Sequence, residues 1–523
     1  MSATSHPPHP PAMSHRQILE ALSGLLLILF VAMTSATIVS TGLPQIIASL
    51  DGTQTQYTWV VTAELLAATA TTPLWGKLAD LFSKKLLVQL AIAVFILGSL
   101  LAGIAHSASE LIAARAVQGL GLGGVQALVQ VVIAAMIAPK ERGRYNGYLG
   151  AVMAVATVAG PLLGGLIVDT AWLGWRWCFF VGVPLALVAL VVLQKTLHVP
   201  TLHRGKVSID WAGATLIAAG VSTLLIWVSF VGSSFAWLSW QTGAFVTGTA
   251  ALLAAAWTVE KRAAEPIIPL HILRRRTPAL AIVASLAVGM AMFGGSVFLG
   301  QYFQTGRGYS PTEAGLLTIP MMAGVLIAST IAGQIISRTG RLRPLIITGT
   351  IVLVFGFLAL STISHDTALW FVGAAMLLVG AGVGMSMQNL VLAVQNTVGQ
   401  HEIGAASSTV AFFRSLGGTI GVSVLGAVLA HRVTDDIHHG MTAAGMPATG
   451  GDTGSLDLTQ VPAVVQHIIR AAYGDATGHI FLISAGVAVV GVIAAVFLKP
   501  APLRSTVDLP PEQETAARDQ VAA

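Results

Sequence analysis

Charged residues are scarce in this sequence. Asp, Glu, Lys and Arg together make up 9% of its 523 residues, whereas a soluble domain carries roughly 25%. So few charges cannot cover a water-exposed surface, which excludes a soluble enzyme, a nucleic-acid-binding protein and a secreted scaffold.

Cysteine is nearly absent too, since Cys178 is the only one in the sequence. An intramolecular disulfide and a cysteine-rich metal site are therefore excluded. The phosphate-binding pattern GxxxxGK[ST] is also missing, so the sequence does not support ATP drive. The histidines do not form the pattern of a metal site, and we expect no metal and no cofactor.

Apolar segments are what the sequence has in abundance. Hydrophobic residues make up 55% of the chain and the mean hydropathy is +0.80. Apolar runs of about 20 residues, the length that crosses a bilayer, recur throughout. The pattern predicts an all-α polytopic membrane protein. We predict fourteen spans, over 20–46, 56–76, 86–106, 110–137, 145–168, 176–195, 210–231, 239–258, 278–303, 313–336, 344–364, 370–396, 405–431 and 478–498.

Basic residues are distributed unevenly between the loops. If both termini lie inside, the inner segments hold 21 of the 27 Lys and Arg residues and the outer segments hold four. The remaining two, Arg115 and Arg414, fall within spans. Inner loops of membrane proteins carry such an excess of basic residues. The distribution therefore predicts an even number of spans with both termini in the cytoplasm. We expect a multi-pass protein of the plasma membrane.

The predicted spans group into bundles flanked by polar tails. We expect disordered cytoplasmic tails over 1–19 and 499–523, six-helix bundles over 20–196 and 278–498, and two additional membrane helices over 210–258. An external loop is expected over 432–475. Within it, Val461–Ala472 has the pattern of a short amphipathic helix, which would serve either as a lid or as a spacer.

Two turns at matching places indicate an internal repeat. Gly76–Lys85 follows span 2 with the sequence GKLADLFSKK, and Gly333–Arg341 follows span 10 with the sequence GQIISRTGR. In each, a glycine leaves a helix and a short basic turn follows. If spans 7 and 8 are an insertion, the other twelve divide into two sets of six. Transporters are commonly built from such duplicated bundles, with the substrate bound between them.

Asp80 places a carboxylate among the lysines of the first turn, Lys77, Lys84 and Lys85. A turn that only follows the inner excess of basic residues does not need this acid. The alternative is a conformational latch. In that case Asp80 faces the N-terminus of the next helix, pairs with a cation on a neighbouring helix, and separates from it when the bundles move.

The same turn carries the first of several motifs that resemble a known family. Gly76-x3-Asp80-x-Phe82-x-Lys84-Lys85 is similar to the signature loop of the major facilitator superfamily. Two further motifs follow in order, Leu111-x3-Arg115-x2-Gln118-Gly119-x-Gly121 on span 4 and the antiporter motif Gly160-Pro161-x2-Gly164-Gly165 on span 5. With fourteen spans, the set resembles the drug:proton antiporters of the EmrB/QacA type over about residues 20–498. The resemblance implies two six-helix bundles plus two linking helices.

The resemblance implies roles for the last two motifs. Arg115, near the outer end of span 4, would take part in proton transfer, or it ties this span to its neighbours by hydrogen bonds. Gly160 and Pro161 bend span 5, and Gly164 and Gly165 permit close packing. The resemblance implies a seal against proton leak, whereas helix packing alone would use the same glycines.

Ser35 is the main departure from the family's pattern. Met33–Pro44 matches the first-span motif, but Ser35 stands where that motif usually carries an aspartate. Glu64 is the one acid well inside a predicted span, and the helical rise places it, Ser35 and Arg115 at similar depths, roughly 8–13 Å from the outer edge. Our hypothesis is that Glu64 carries the proton, because apolar surroundings favour its neutral form and Arg115 favours its charged form. Alternatively, Glu64 only hydrogen-bonds within the bundle or faces a wet cavity.

Further polar, sulfur-containing and aromatic residues in the spans are candidate substrate contacts. They are Ser35, Gln118, Met292, Phe293, Gln388, Asn389 and Arg414. Flexible methionines and flat aromatic faces suit apolar ligands, although such residues also serve packing, and amides also serve hydrogen bonding between helices. For Arg414 three roles stay open: an ion pair with Glu64, attraction of a polar or anionic substrate group, or a structural role at the inner gate.

The resemblance implies proton-coupled efflux of hydrophobic or cationic small molecules, such as antibiotics or dyes. The fourteen spans, their orientation and the single acid well inside a span come from the residues themselves. The expected partners are this substrate, protons and the lipid bilayer, without nucleic acid, for a protein that acts as a monomer and is not an enzyme. One alternative exports a single endogenous metabolite, such as a natural product, amino acid or siderophore. Another is a facilitator without proton coupling, since Ser35 replaces the usual carboxylate. A receptor or channel is disfavoured because the sequence has no repeated filter or charge ring.

Overall fold

The computed structural model describes residues 15–170, 172–198, 210–232, 235–263, 265–399, 402–446 and 462–504. These ranges form helices with short connections, which confirms the all-α membrane fold. The helices are α1 (His15–Ser49), α2 (Gln54–Leu81), α3 (Lys84–Gly103), α4 (Ala108–Met136), α5 (Pro139–Asp169), α6 (Trp177–Phe180), α7 (Gly182–Thr196), α8 (Trp211–Phe230), α9 (Trp240–Glu260), α10 (Leu270–Arg274), α11 (Arg276–Gln301) with a π-helical turn (Tyr302–Gly306), α12 (Pro311–Leu317), α13 (Ile319–Thr339), α14 (Arg343–Leu360), α15 (Leu369–Gln395), α16 (Ile403–Ala443) and α17 (Ala463–Val496).

Helix boundaries follow local capping signals. Thr53 and Gln56 form a capping box at the start of α2, in which the Gln56 N–H donates to Thr53 Oγ1 at 3.2 Å and the Thr53 N–H donates to Gln56 Oε1 at 2.9 Å. Ser107 accepts the Glu110 N–H at the start of α4. α13 ends at Thr339 and is capped by Gly340, whose φ of +68° lies in the left-handed region that favours glycine.

Thirteen helices in the described part of the chain are long and apolar enough to cross a membrane. α2 is not among them, because Glu64, Pro73 and six threonines lower its hydropathy. With 28 residues it is roughly 42 Å long, which is enough to cross the bilayer. The count of fourteen spans stays a prediction.

Both ends of the described chain lie on one side of the bundle, beside the start of α5. His15 Nδ1 lies 2.8 Å from the Tyr145 hydroxyl, and the Lys140 N–H donates to the Arg504 carbonyl at 3.1 Å. We call this side the basic side.

Described structure extends into both of the tails that the sequence predicted. α1 starts at His15, within the tail expected over 1–19. At the other end, Arg504 Nη2 donates to the carbonyls of Gln395 at 2.7 Å and Val398 at 3.0 Å. The last carbonyls of a helix lack partners within it, and this guanidinium group supplies them. Residues 499–504 therefore lie on the bundle, while 1–14 and 505–523 lie outside the described residues.

The loop predicted over 432–475 is helical at both of its ends. α16 continues to Ala443 because no proline interrupts it, and it ends just before Gly445, whose φ is +69°. The helix expected over Val461–Ala472 is, from Ala463 onward, the start of α17. The two extensions pack together, since a Cβ on Gly440 would lie 2.6 Å from the Ile468 side chain. Residues 447–461 lie outside the described residues.

Helix packing divides the apolar core. Two clusters of buried apolar residues lie almost wholly within residues 18–197, and a third lies mostly within 272–503. Between these groups, α2 packs on α16 and α5 packs on α13. α8 and α9 pack on each other, and α8 also contacts α2 and α16. The bundle boundaries predicted from the sequence stay predictions.

Candidate functional site

Glu64 on α2 and Arg115 on α4 form a buried ion pair, in which Arg115 Nη2 donates to Glu64 Oε2. Each residue is only 1% exposed. Glycine brings the two helices this close, since a Cβ on Gly119 would lie 2.9 Å from the Ala67 Cβ and would overlap the Glu64 carbonyl. A charged pair with so little contact with water gains stability from each further group that satisfies its remaining donors and acceptors.

Gln118 connects this ion pair to two further helices. Its Oε1 accepts from Arg115 Nη1 at 2.6 Å. Its Nε2 donates to Ser35 Oγ on α1 at 3.1 Å and to Ser99 Oγ on α3 at 2.8 Å. The network thus joins α1, α2, α3 and α4 around one guanidinium group. Sequence reasoning missed Ser99, because a single serine in an apolar span carries no distinctive signal.

Two more contacts complete the surroundings of Arg115. Its Nε donates to the Val60 carbonyl at 3.4 Å, and its Cζ lies 6.0 Å from the centre of the Phe179 ring, within the range of a cation–π interaction. Every nitrogen of the guanidinium group therefore has a partner. Glu64 differs, because its Oε1 is buried and has no hydrogen-bond partner in the described part of the chain. The network can thus accept a proton on this oxygen without first breaking a hydrogen bond.

Asp80, at the basic-side end of α2, is bound by backbone amides of α16. The Gly404 N–H donates to Oδ1 at 2.7 Å and the Ala405 N–H donates to Oδ2 at 2.8 Å. The sequence predicted that Asp80 faces the N-terminus of the next helix and pairs with a cation on a neighbouring helix. Its hydrogen bonds come instead from the N-terminus of α16, while the charges of Lys84, at the start of α3, and of Lys77 act on it. The first N–H groups of a helix have no partner within it, and a carboxylate binds them by charge-assisted hydrogen bonds.

The rest of the predicted latch surrounds this contact. Gly76 lies against α16 so closely that a Cβ there would overlap the Ser408 hydroxyl. Lys85 Nζ donates to the Gln194 carbonyl at 2.6 Å, at the end of α7. Lys77 pairs with Glu265 at 2.5 Å, a partner that sequence reasoning missed. Lys84 is 8% exposed at the start of α3.

Further hydrogen bonds join the two groups of helices near the basic side. Arg142 is buried and donates to Gln395 Oε1 at 2.7 Å. Gln130 Nε2 donates to Gln388 Oε1 at 2.9 Å. Sequence reasoning counted Arg142 as a loop charge, because it follows Pro139 in a basic stretch. With the Asp80 contact, these bonds hold the basic side closed in this structure.

The antiporter-motif residues pack mainly against α1. A Cβ on Gly160 would overlap the Thr37 hydroxyl, and a Cβ on Gly164 would lie 2.9 Å from the Ile38 carbonyl. Pro161 lies inside α5 and faces Gly315, where a Cβ would lie 3.4 Å from the Pro161 Cβ. Gly165 has more space, with Thr312 3.8 Å away.

The other candidate substrate contacts are not brought to the Glu64 network. Phe293 on α11 lies against Gly418 of α16, and Met292 packs on the apolar cluster of residues 272–503. Asn389 Nδ2 donates to the Met385 carbonyl of its own helix at 2.6 Å. Arg414 is 8% exposed. Its Nη1 has no hydrogen-bond partner in the described residues, where Glu64 pairs with Arg115 instead.

Comparison with known proteins agrees with this fold. The sequence pattern of the Major Facilitator Superfamily matches residues 25–422. The chain is 35% identical to the multidrug transporter protein MdtP of Bacillus subtilis (strain 168) over 412 residues, which are 79% of this chain and 75% of that protein. It is 30% identical to multidrug resistance protein 3 of the same organism over 498 residues, 93% of this chain and 96% of that protein.

The fold also resembles that of a solved transporter, the proton:xylose symporter XylE bound to 6-bromo-6-deoxy-D-glucose. The TM-score is 0.64 at 14% identity, covering 96% of this chain and all of that one. The resemblance to the superfamily found in the sequence motifs is confirmed, while the fourteen-span subgroup stays a prediction. The chain belongs to the Major Facilitator Superfamily and is a multi-pass membrane transporter, not an enzyme.

Proposed function

We propose that this transporter exports hydrophobic or cationic small molecules, such as antibiotics or dyes, in exchange for protons that flow inward. The observation that carries the proposal is the Glu64–Arg115 pair, buried in the first group of helices with Glu64 Oε1 unpartnered in the described residues. Two relatives named as multidrug proteins support the substrate class. We assign the basic side to the cytoplasm of a plasma membrane, because basic residues favour inner loops.

The proposed cycle follows from the two contacts of α2. With the basic side closed, Asp80 holds α16, and Glu64 takes up a proton from the outer side. Protonation removes the negative charge that Arg115 binds, so the pair weakens and α2 is held less tightly against α4. The Asp80 contacts then separate, the basic side opens, and Glu64 releases its proton as substrate binds. Substrate, protons and the bilayer are the partners, and one chain suffices.

The test measures proton flux in liposomes that contain the purified protein and a pH-sensitive dye. A pH gradient is imposed, and cationic and neutral drugs are added one at a time. We expect drug-triggered proton flux in the wild type and its loss in Glu64→Gln, because the amide keeps the shape of the side chain but does not exchange the proton.

Glu110→Gln is the matched control, since Glu110 is exposed and accepts the His106 N–H at the mouth of α4. This variant should retain the wild-type flux. Full drug-triggered flux in Glu64→Gln would contradict the role of Glu64. Drug transport without any proton flux in the wild type would instead favour an uncoupled facilitator. The observation that favours this alternative is that the network contains the uncharged Ser35. Transport of one endogenous metabolite and of no drug would favour a dedicated exporter.

A further inference from the structure

A cavity of about 660 Å³ lies between α5 and α13 on the basic side. Its volume falls within the roughly 300–1,000 Å³ of small-ligand pockets. The lining residues that bear on its ligand are Arg144, Tyr148, Leu326, Gln334, Ser337 and Arg338. Arg144 lies in the second turn of α5 and Arg338 lies next to the last residue of α13. Both arginines therefore lie at the membrane surface, and the cavity extends from them toward Leu326, about 18 Å deeper along α13.

The charge of this cavity has one sign. Among the described residues, no carboxylate lines it. Both arginines are exposed, and neither takes part in an ion pair within the described ranges. Tyr148, 47% exposed, adds a hydroxyl group and a flat face. Leu326 and Ala151 supply an apolar wall below.

The internal repeat indicates that a ligand of this cavity carries a negative charge. Ser337 follows Gly333 by four residues, as Asp80 follows Gly76. In the first turn the Asp80 carboxylate binds α16 of the other group. In the second turn Ser337 carries no charge, and its hydroxyl donates to the Gly333 carbonyl of its own helix at 2.9 Å. The closed contact between α5 and α13 thus lacks the negative charge that the contact between α2 and α16 has.

We propose that the headgroup of an anionic phospholipid supplies this charge. Its phosphate lies between Arg144 and Arg338, which bind it by charge-assisted hydrogen bonds. An acyl chain runs along Leu326 and Ala151. One lipid then bridges α5 of the first group and α13 of the second, and it stabilises the closed basic side. This proposal does not depend on the transported substrate.

Native mass spectrometry of the purified full-length protein tests the proposal. The probes are phosphatidylglycerol and phosphatidylcholine of identical acyl chains, and inorganic phosphate. We expect phosphatidylglycerol to bind at least tenfold more tightly than phosphatidylcholine, and Arg144→Gln/Arg338→Gln to remove this preference. The matched control is Arg341→Gln, a basic-side arginine outside the cavity lining, which should keep the preference.

Three outcomes would overturn the proposal: equal binding of the two lipids to the wild type, equal loss in Arg341→Gln, or binding of inorganic phosphate as tight as that of the lipid. If the double variant does not fold, the single variants Arg144→Gln and Arg338→Gln are compared with Arg341→Gln in the same measurement. Each should weaken the preference while the control does not.

Discussion

Gly143 and Gly333 bring α5 and α13 together with no side chain between them. A Cβ on Gly143 would lie 2.5 Å from the Gly333 carbonyl oxygen and 3.1 Å from Ser337 Oγ, while a Cβ on Gly333 would overlap the Gly143 carbonyl. Backbone atoms cannot rotate away as the end of a flexible side chain does. Closure of the basic side therefore requires the absence of a side chain at both positions.

Gly333→Ala should shift the protein away from the closed basic side. Overpacking of this kind is worth about 1–3 kcal/mol, which corresponds to at least a fivefold change in population. Spin labels at the basic-side ends of α5 and α13 would report a longer distance in the variant. Gly248→Ala on α9 is the control, because no atom of the described residues lies within 4 Å of a Cβ there. An unchanged distance distribution in Gly333→Ala would refute the prediction.

Asp80→Asn should weaken the contact between α2 and α16. The amide offers one acceptor oxygen and turns a donor toward the second backbone N–H, so one buried hydrogen bond is lost at about 1–3 kcal/mol. The measurement is the distance between spin labels at the basic-side ends of these two helices. Asp51→Asn is the matched control, because Asp51 is exposed and its φ of +50° suits asparagine. Equal distances in both variants would count against the latch.

Arg115→Lys should disable the buried network although the charge is kept. An ammonium group cannot reach Glu64, Gln118 and the Val60 carbonyl together as the guanidinium group does. We expect at least a tenfold loss of drug-triggered proton flux and a lower midpoint of thermal unfolding. Arg16→Lys is the control, since the Arg16 side chain is 89% exposed beside Glu20. Wild-type flux in Arg115→Lys would mean that the three separate contacts of the guanidinium group are dispensable.

Cys178 should not react in the folded protein. It is 1% exposed and packs under Gly42, where a Cβ would lie 3.3 Å from its sulfur atom. We expect no maleimide adduct in the folded protein and one adduct per chain after unfolding in SDS, both measured by mass spectrometry. Labelling of the folded protein would show that α1 and the Cys178 region separate. If Cys178 is not labelled, cysteines for spin labels can be introduced without first replacing it.

The sequence predicted those parts of the site whose geometry depends on spacing along one helix or on the constant rise per residue of an α-helix. Arg115 and Gln118 are three residues apart on α4, so they share a face, and the rise per residue puts Glu64 at their level. Helix type and membrane location follow from apolar runs in the same way. These features depend on backbone repeat distances, which do not change between proteins.

The parts that could not be predicted depend on contacts between distant segments. The partners of Asp80 are the backbone N–H groups of Gly404 and Ala405. Almost every residue has such a group, so the pattern of side chains does not predict this contact. Arg142 sits in a basic stretch but turns inward to Gln395, because α15 ends beside it. The length of α16 was underestimated because one face of its polar extension packs on α17, a packing partner that its own sequence does not reveal.

The unbroken length of α16 has a mechanical consequence. The helix begins at the residues that Asp80 holds and runs 41 residues to Ala443, about 62 Å. If α16 tilts as a rigid rod about its end near Asp80, a tilt of about 10° displaces the other end by roughly 10 Å. The making and breaking of two backbone hydrogen bonds on one side is thereby amplified into motion on the other. A protein that binds the Ala443 end of α16 and holds it in place would therefore slow the separation of Asp80 from the other end without contacting Asp80.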